Sequence, residues 1–541
     1  MNKCVLRKAF LCYNSHVRKG IFMEQEFDKK FKKRFSQMAY GTSIIIILLM
    51  FLQIGIVGYG LTMLKENVVY LYGVFTVIGL ITVIYIINKS GTPEYKISWI
   101  VFILVFPFVG SVFYLYVQLG WARRFIGKKL RLLQVEISEY MKQDPEIISY
   151  MKSSRASNTK LTHYLFKELS FPTYSHTDLD YYPSGEAKFK ALIKDLKKAQ
   201  KFIFMEYFIV EEGKMWNTIL EVLEEKVAEG VEVRFMYDGM CSIAQLPYDY
   251  PHRLKAKGIK CKVFNPLRPI LATVQNSRDH RKICVIDGKI GYTGGINLAD
   301  EYINERKRFG HWKDTAIRLK GDAVRSLTVM FLQMWNVTER RSENYARYLR
   351  PTRPGFDRAS GYVLPYADNP YDKEAVGEEV YLHILNHARD YVHIMTPYLI
   401  LDYDMIRTLL RVAKSGIEVV IIMPRIPDKK YAFDLAKTYY QELLQAGVQI
   451  YEYTPGFIHA KVFVSDDDTA TVGTINLDYR SLYLHFECGV FIYHNRVVHE
   501  IEKDFQQTLR ESHKVTLTEV QNRSLYSKVC GHLLRLIAPL M

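Results

Sequence analysis

Cysteine is scarce in this chain and does not cluster: Cys4, Cys12, Cys241, Cys261, Cys284, Cys488 and Cys530 are odd in number and never stand in a C-x-x-C spacing. That pattern excludes a disulfide framework and gives no zinc cage. Residues 1–40 lack the short apolar core and small-residue cleavage site of a secretory leader, so the segments after them are expected to persist in the mature protein. Met23 is an alternative start, and no candidate site residue precedes it. Acidic residues are outnumbered, 57 against 73 lysines and arginines, which leaves a formal charge of +16 and favours an anionic partner. Nucleic acid, a phospholipid surface and a small phosphorylated substrate all satisfy that charge.

Long uncharged runs are abundant. Ser43 to Leu64, Val68 to Ile87 and Ile97 to Gly120 each hold about twenty residues without a charge, the length a helix needs to cross a hydrocarbon core of roughly 30 Å. They predict three membrane spans within residues 41–121, after a basic N-terminal segment, 1–40. Lys29, Lys30, Lys32, Lys33 and Arg34 precede the first run, and Arg123, Arg124, Lys128, Lys129 and Arg131 follow the third. Three crossings put these two basic flanks on opposite sides, against the positive-inside rule, so either one run is re-entrant or one flank binds anionic head groups. The catalytic region is expected on the cytoplasmic side.

Residues 122–170 read as a polar helical connector ending near Pro172, and beyond them one pattern occurs twice. A helix over Ala187–Lys201 leads into the strand Phe202–Val210, and a helix over Trp216–Glu229 stops at Gly230 before the strand Val231–Asp238. In the second copy a helix near Glu378–Asp390 leads into Tyr391–Ile400, and a helix over Tyr403–Ser415 stops at Gly416 before Ile417–Pro424. A glycine after each helix is a C-cap signal, and apolar β-branched runs alternating with helices predict βαβ crossovers. The expected fold is α/β, in two pseudo-symmetric lobes at 171–350 and 351–541, each a mixed sheet flanked by helices. Ser524 to Met541 is expected to form an amphipathic C-terminal helix, lying at an interface or packed on a lobe.

At equivalent points of the two copies stand HRKICVID, His280 to Asp287, and HAKVFVSD, His459 to Asp466: the pattern H-x-K-x-x-x-x-D, spelled twice. Read as strands, these octets put His280 beside Lys282 and His459 beside Lys461 on one face, while the odd offset of Asp287 and Asp466 assigns them to a turn. A second strand after each turn ends in small residues and Asn297 or Asn476, with Gly294, Gly295 and Gly473 expected to clear room for an oxyanion. Imidazole, ammonium and carboxamide together suit a phosphodiester, with Asn297 and Asn476 binding phosphate oxygens. In-line displacement through a covalent intermediate needs a nucleophile on one side of phosphorus and a proton donor on the other, so the repeat supplies the second imidazole. Asp314, in HWKD, and Glu487, in LHFECG, are candidates for holding the two rings in one tautomer.

On these residues the chain resembles the phospholipase D superfamily and, within it, the bacterial cardiolipin synthases. Four stretches carry the likeness: Arg278 to Ile303, Phe309 to Val324, His459 to Leu482, and the closing LLRLIAPLM. The resemblance implies metal-independent, cofactor-free phosphatidyl transfer between two phosphatidylglycerol molecules, giving cardiolipin and glycerol through a phosphohistidine. It places His280, Lys282, Asp287, His459, Lys461 and Asp466 in the catalytic set, with His280 as nucleophile and His459 as acid and base, although the sequence itself is symmetric on that point. Phosphatidylglycerol and anionic lipids are the implied partners, no nucleic acid is expected, and the implied location is the bacterial cell membrane, with several passes. Many members carry two apolar stretches where this chain has three. A membrane-tethered hydrolase or nuclease, or a non-enzymatic lipid-binding scaffold, are the alternatives.

Overall fold

The computed structural model describes residues 67–118, 121–153, 158–240, 245–266, 276–339, 343–372 and 374–540, together with residues 55 and 58. The first predicted span and the basic N-terminal segment lie outside the described residues.

The first lobe carries β1 (Thr177–Tyr182), β2 (Phe202–Tyr207), β3 (Glu232–Asp238), β4 (Lys260–Phe264), β5 (Ile283–Ile286), β6 (Ile290–Gly294), β7 (His311–Lys313) and β8 (Ala316–Gly321). The second carries β9 (Tyr362–Asp368), β10 (Tyr391–Met395), β11 (Glu418–Pro424), β12 (Gln449–Tyr453), β13 (Gly456–Ile458), β14 (Val462–Ser465), β15 (Thr469–Gly473), β16 (Glu487–Tyr493) and β17 (Ser512–Lys514). One sheet runs β1-β8-β6-β5-β2-β3-β4 and the other β17-β12-β11-β10-β14-β15-β16-β9. Both are mixed. β2 pairs parallel with β3 through the helix Lys214–Ala228, and β10 pairs parallel with β11 through Tyr403–Lys414, as the repeated pattern predicts. Gly230 (φ +88) and Gly416 (φ +91) stand beyond those helices in the left-handed region, where a side chain is costly. Every residue of β2, β5, β14 and β16 is buried, which follows from cover on both faces, by helices and, where β16 meets β6, by the sheet of the other lobe, and explains why these strands read as apolar runs instead of alternating.

The octets are shorter strands than expected. β5 starts at Ile283 and β14 at Val462, so both histidines and both lysines precede the ladder, in extended chain. The hairpins that follow pair as predicted, β5 with β6 and β14 with β15. Asp287 and Asp466 close these hairpins in the left-handed region, at φ 55 and φ 53. The Asp287 carboxylate accepts the backbone N–H groups of Gln200, Lys201 and Phe202 at 2.9, 2.7 and 2.9 Å, and Asp466 accepts those of Arg389, Asp390 and Tyr391 at 2.9, 3.0 and 3.0 Å. Each ties its hairpin to the start of β2 or β10. Both carboxylates are spent on backbone donors at the far end of the strand from the histidine, the turn role that their odd offset predicts.

The N-terminal helices depart from three simple spans. The third apolar run is broken at Phe106–Pro107 into the helices Pro93–Val105 and Pro107–Gln118, because proline cannot donate to the preceding turn. The two halves fold back on each other: Trp99 packs on Phe113 and Tyr114 at 5.7 and 5.2 Å, and a Cβ on Gly110 would stand 2.8 Å from the Ile103 Cα. Thirteen residues of helix extend only ~20 Å. Among the described residues no helix is long and apolar enough to cross a membrane. The second run forms the helix Asn67–Asn88, whose side chains are described at position 70 and from 72 onward. The connector is helical, as Trp121–Ser138, Pro145–Ser153 and Thr159–Leu169. The C-terminal helix Leu525–Ile537 is capped by Ser524, seats Gly531 against Asp434 and Thr438, and leaves Leu525, Tyr526 and Leu533 exposed.

Replacing Asp287 with Ala orphans three backbone donors, two of them at part-buried and one at a buried position, and is expected to cost about 3 kcal/mol. Asp466→Ala, whose donors lie mostly at the surface where water replaces the carboxylate, should cost at most about 1 kcal/mol. Thermal unfolding of the two variants in the same detergent gives the comparison.

Candidate active site

The lobes exchange backbone at two points related by the internal repeat. Asp279 bridges to Phe486: the His280 N–H donates to the Phe486 carbonyl at 2.9 Å, and the Phe486 N–H donates to the Arg278 carbonyl at 2.8 Å. On the other side β7 pairs parallel with β13, and the His459 N–H donates to the Lys313 carbonyl at 2.7 Å. These crossings put each histidine beside the carboxylate of the opposite lobe. His280 Nδ1 lies 2.9 Å from both oxygens of Glu487, and His459 Nδ1 lies 2.7 Å from Asp314 Oδ2.

Both pairs are buried. His280 and His459 are 6% and 7% exposed, and Glu487 and Asp314 are wholly enclosed. The Thr474 hydroxyl donates to Glu487 Oε2 at 2.5 Å, and Asp314 Oδ1 accepts the Thr315 N–H at 2.8 Å. Desolvation lowers the His280 pKa to about 3, with Glu487 opposing and Lys282 reinforcing the shift, and lowers that of His459 to about 4, reinforced by Lys461. Burial on its own would push Glu487 up, but His280, His485 and Lys282 hold it below the usual carboxylate range. The resting rings are therefore neutral. With an ionised carboxylate at Nδ1 the hydrogen sits there, which leaves the Nε2 lone pair free.

Lys282 and Lys461 are each 1% exposed. The Lys282 ammonium donates to the His280 carbonyl at 2.5 Å, and Lys461 bonds the His459 carbonyl in the same way. Burial lowers their pKa values to about 8 and about 7, while Asp314 and Glu487 pull both back up. Lys282 also depresses the proton affinity of Lys461 and of His459, so the two motifs share one electrostatic site. The two ammonium groups are offset by the two carboxylates behind the rings, so what suits the site to an anion is the lysine pair on its substrate side and not a net positive charge.

The carboxamides lie beside this arrangement and are largely committed. Asn297 accepts the Ile209 N–H at 3.0 Å and donates to Tyr302 at 2.8 Å; Asn476 donates to Ser481 at 3.0 Å and keeps an unpartnered Oδ1. The glycines serve neighbours and not an oxyanion. A Cβ on Gly295 would fall 2.0 Å from Asp314 Oδ1, and one on Gly473 would fall 2.5 Å from the Cys488 carbonyl oxygen.

Several side chains were not singled out from sequence. Phe208 meets the His280 ring edge-on at 4.8 Å, and Tyr302 meets His459 at 5.6 Å. Two residues before each orienting carboxylate, on the same side of an extended chain, stand Trp312 and His485. Trp312 lies 5.4 Å from His459, and His485 lies 5.7 Å from His280. The offset was readable in HWKD and LHFE; the contact was not. His280, His485 and Glu487 bring ligand-type atoms within 4.8 Å of one another, but a cation there would compete with the His280–Glu487 hydrogen bond and face the Lys282 ammonium.

Residues 192–335 and 381–509 match the family described as "Cardiolipin synthase, PLD-like domain", and residues 74–117 match "Phospholipase_D-nuclease N-terminal". An uncharacterized protein of Streptococcus mutans is 50% identical over 85% of this chain and 99% of its own length. Cardiolipin synthase of Geobacillus thermodenitrificans is 33% identical over 87% of this chain and 94% of its own, and cardiolipin synthase 2 of Bacillus cereus is 34% identical over 86% and 91%. Among solved structures, phosphatidylserine synthase of Haemophilus influenzae superposes with a TM-score of 0.54 at 15% identity, covering 71% of this chain and 98% of that one, a likeness of fold.

Glu487→Gln and Asp314→Asn keep shape while removing the charge that fixes each ring, and each should lower kcat by roughly 10²- to 10⁴-fold in a product assay. The lysines set the pH response. Their cationic forms are lost as pH rises through about 7 for Lys461 and about 8 for Lys282, so kcat/KM should decline on the alkaline side with its inflection in that window. A profile flat from pH 6.5 to 9 would show that neither ammonium is needed.

Proposed function

The chain belongs to the family of phospholipase D-like cardiolipin synthases and is a phosphatidyltransferase, and on that footing we propose that it moves a phosphatidyl group from one phosphatidylglycerol to another, giving cardiolipin and glycerol. The observation that carries this reading is the crossed pairing of two buried imidazoles with carboxylates of opposite lobes, around two shared ammonium groups. One ring is set to attack and the other to handle the leaving group.

In the first step His280 Nε2 attacks phosphorus, the phosphorus–oxygen bond to the glycerol head group breaks, and protonated His459 gives its proton to the departing oxygen. In the second, His459 takes the proton of the acceptor hydroxyl as that oxygen attacks phosphorus, and the nitrogen–phosphorus bond to His280 breaks. The proton removed equals the proton given, so the cycle is closed and reversible. His459 is neutral in the empty site because it is buried beside Lys461. An anionic diester held by the two lysines offsets that positive field and raises the proton affinity of His459 as it binds. Assigning nucleophile and acid in this order follows the family resemblance. Asn297 and Asn476 each keep an amide hydrogen for a phosphate oxygen, and Asp287 and Asp466 act through the fold.

The protein works at a bacterial membrane. Large apolar side chains of the helix Asn67–Asn88, among them Tyr70, Ile81 and Ile84, are at least 60% exposed, as are Val105 of the next helix and Leu533 of the C-terminal one. Apolar surface on this scale favours lipid over a nucleic-acid substrate. Burying the chemistry and seating it in the substrate phase favours a lipid hydroxyl over water.

Mass spectrometry of the products from phosphatidylglycerol should show cardiolipin and glycerol with wild type and neither with His280→Ala. His459→Ala, given a phosphatidyl ester with a p-nitrophenol leaving group that needs no protonation, should accumulate a phosphatidyl adduct on His280. An adduct on His459 in the His280→Ala variant would reverse the roles. Cleavage of single-stranded DNA with the lipid untouched would replace the reading with a nuclease.

A further inference from the structure

Between the N-terminal helices and the second lobe lies a cavity of about 550 Å³ that the chemistry above does not use. Ile86, Trp99 and Tyr114 give it an apolar wall from the N-terminal helices, and Lys89 and Lys96 contribute positive charge from the same side. Across from them stand Asp368, Asn369, Pro370, Asp372, Ala375 and Glu378, from the end of β9 to the first turn of the helix Val376–His387. His485 borders the same cavity, and its ring lies 5.7 Å from the ring of His280.

Three features point to a lipid occupant. First, the Trp99 indole N–H, on a side chain 4% exposed, has no hydrogen-bond partner, and His485, 8% exposed, makes no close hydrogen bond, its Nδ1 standing 3.8 Å from Glu487 Oε1. A buried polar atom without a close partner on the lining of a cavity is costly unless something enters to pair with it. Secondly, burial raises three of the acids that line the cavity, Asp368, Asp372 and Glu378, above the usual carboxylate range, and Lys89 and Lys96 line it together with the remaining two, Glu374 and Asp404. Burial raises Asp372 to about 6, and burial together with the contact to Asp402 raises Glu378, the Tyr483 hydroxyl bonding both carboxyl groups of that pair. Thirdly, the helices forming the apolar wall present bare apolar side chains on their outer faces, including Ile84, Ile87, Ile97 and Leu115. The volume suits a glycerol backbone with its two ester groups, and acyl chains would continue outside.

We propose that this cavity holds the diacylglycerol backbone of the phosphatidyl group, with His485 donating to a lipid oxygen next to phosphorus and the acyl chains leaving along the exposed faces of the helices Asn67–Asn88 and Pro107–Gln118. The proposal rests on the phosphatidyl-transfer reading and says where the transferred group lies. Its position agrees with that chemistry, because the group carried by His280 must sit on the His280 side, and the cavity adjoins His280 through His485. The repeat sharpens the point. At the equivalent position of the first lobe Trp312 packs on His459, so the chain has a second ring donor of different chemistry where the head group would come and go.

The test uses full-length protein in vesicles of phosphatidylglycerol doped with a phosphatidylglycerol bearing a diazirine near the top of one acyl chain. Adducts mapped by mass spectrometry are expected in residues 86–118 and 368–378, in wild type and in His280→Ala alike, since binding precedes chemistry. Adducts confined to the first lobe, or the same walls labelled instead by a head-group diazirine, overturn the proposal even if cardiolipin is still made. Loss of cardiolipin synthesis with labelling intact would sink the transfer reading and spare the cavity. Independently, His485→Ala should raise KM for phosphatidylglycerol at least tenfold with a smaller change in kcat, and His485→Gln should restore much of the loss. Thr92→Trp and Ala375→Trp fill the cavity from opposite walls, and an unchanged KM in either folded variant overturns the proposal.

Discussion

Neither imidazole of this protein is oriented by its own lobe. Glu487 holds His280 and Asp314 holds His459, and each of these hydrogen bonds crosses the seam between the two halves. The rest of the architecture supports that exchange. The Asp279–Phe486 bridge and the β7–β13 pair bring the crossing segments within reach, and Gly295 leaves the space that the Asp314 carboxylate fills. Hydrogen bonds to charged groups are strong where water is excluded, and an unpaired charge there is costly. The lobes are therefore held in register by the same atoms that set the chemistry.

Much of this was legible in the sequence because it depends on local rules. Gly230 and Gly416 after amphipathic runs marked where helices stop, and β-branched runs marked the strands between them. The doubled His-Lys octet marked a phosphodiester site, and the offset of Asp287 and Asp466 marked a turn. Contacts between distant segments were less accessible. That Glu487 serves His280 and not the nearer His459 follows from the crossing of two lobes, which no local pattern encodes. The strands begin after the histidines because the backbone there is claimed by the opposite lobe. No local pattern marks His485, because its meaning depends on the ring it meets.

The N-terminal apolar runs mark the boundary between what hydropathy decides and what backbone chemistry decides. Absence of charge from Ile97 to Gly120 predicts one crossing. Pro107 interrupts the hydrogen-bond ladder within that run, and Trp99, Phe113 and Tyr114 then pack the halves against each other. Hydropathy describes the solvent a segment prefers; it does not say whether the segment passes through that solvent or doubles back within it.

The reciprocal dependence of the halves has a further meaning for how such a molecule can be assembled. Two segments that each lend a carboxylate to the other's imidazole reproduce the logic of an isologous two-fold dimer, in which surface i meets j and j meets i. Joining the halves in one polypeptide turns that symmetry into an intramolecular contact at high effective concentration and frees the copies to differ. Trp312 and His485, at matching positions over the two rings, are where such a divergence stands.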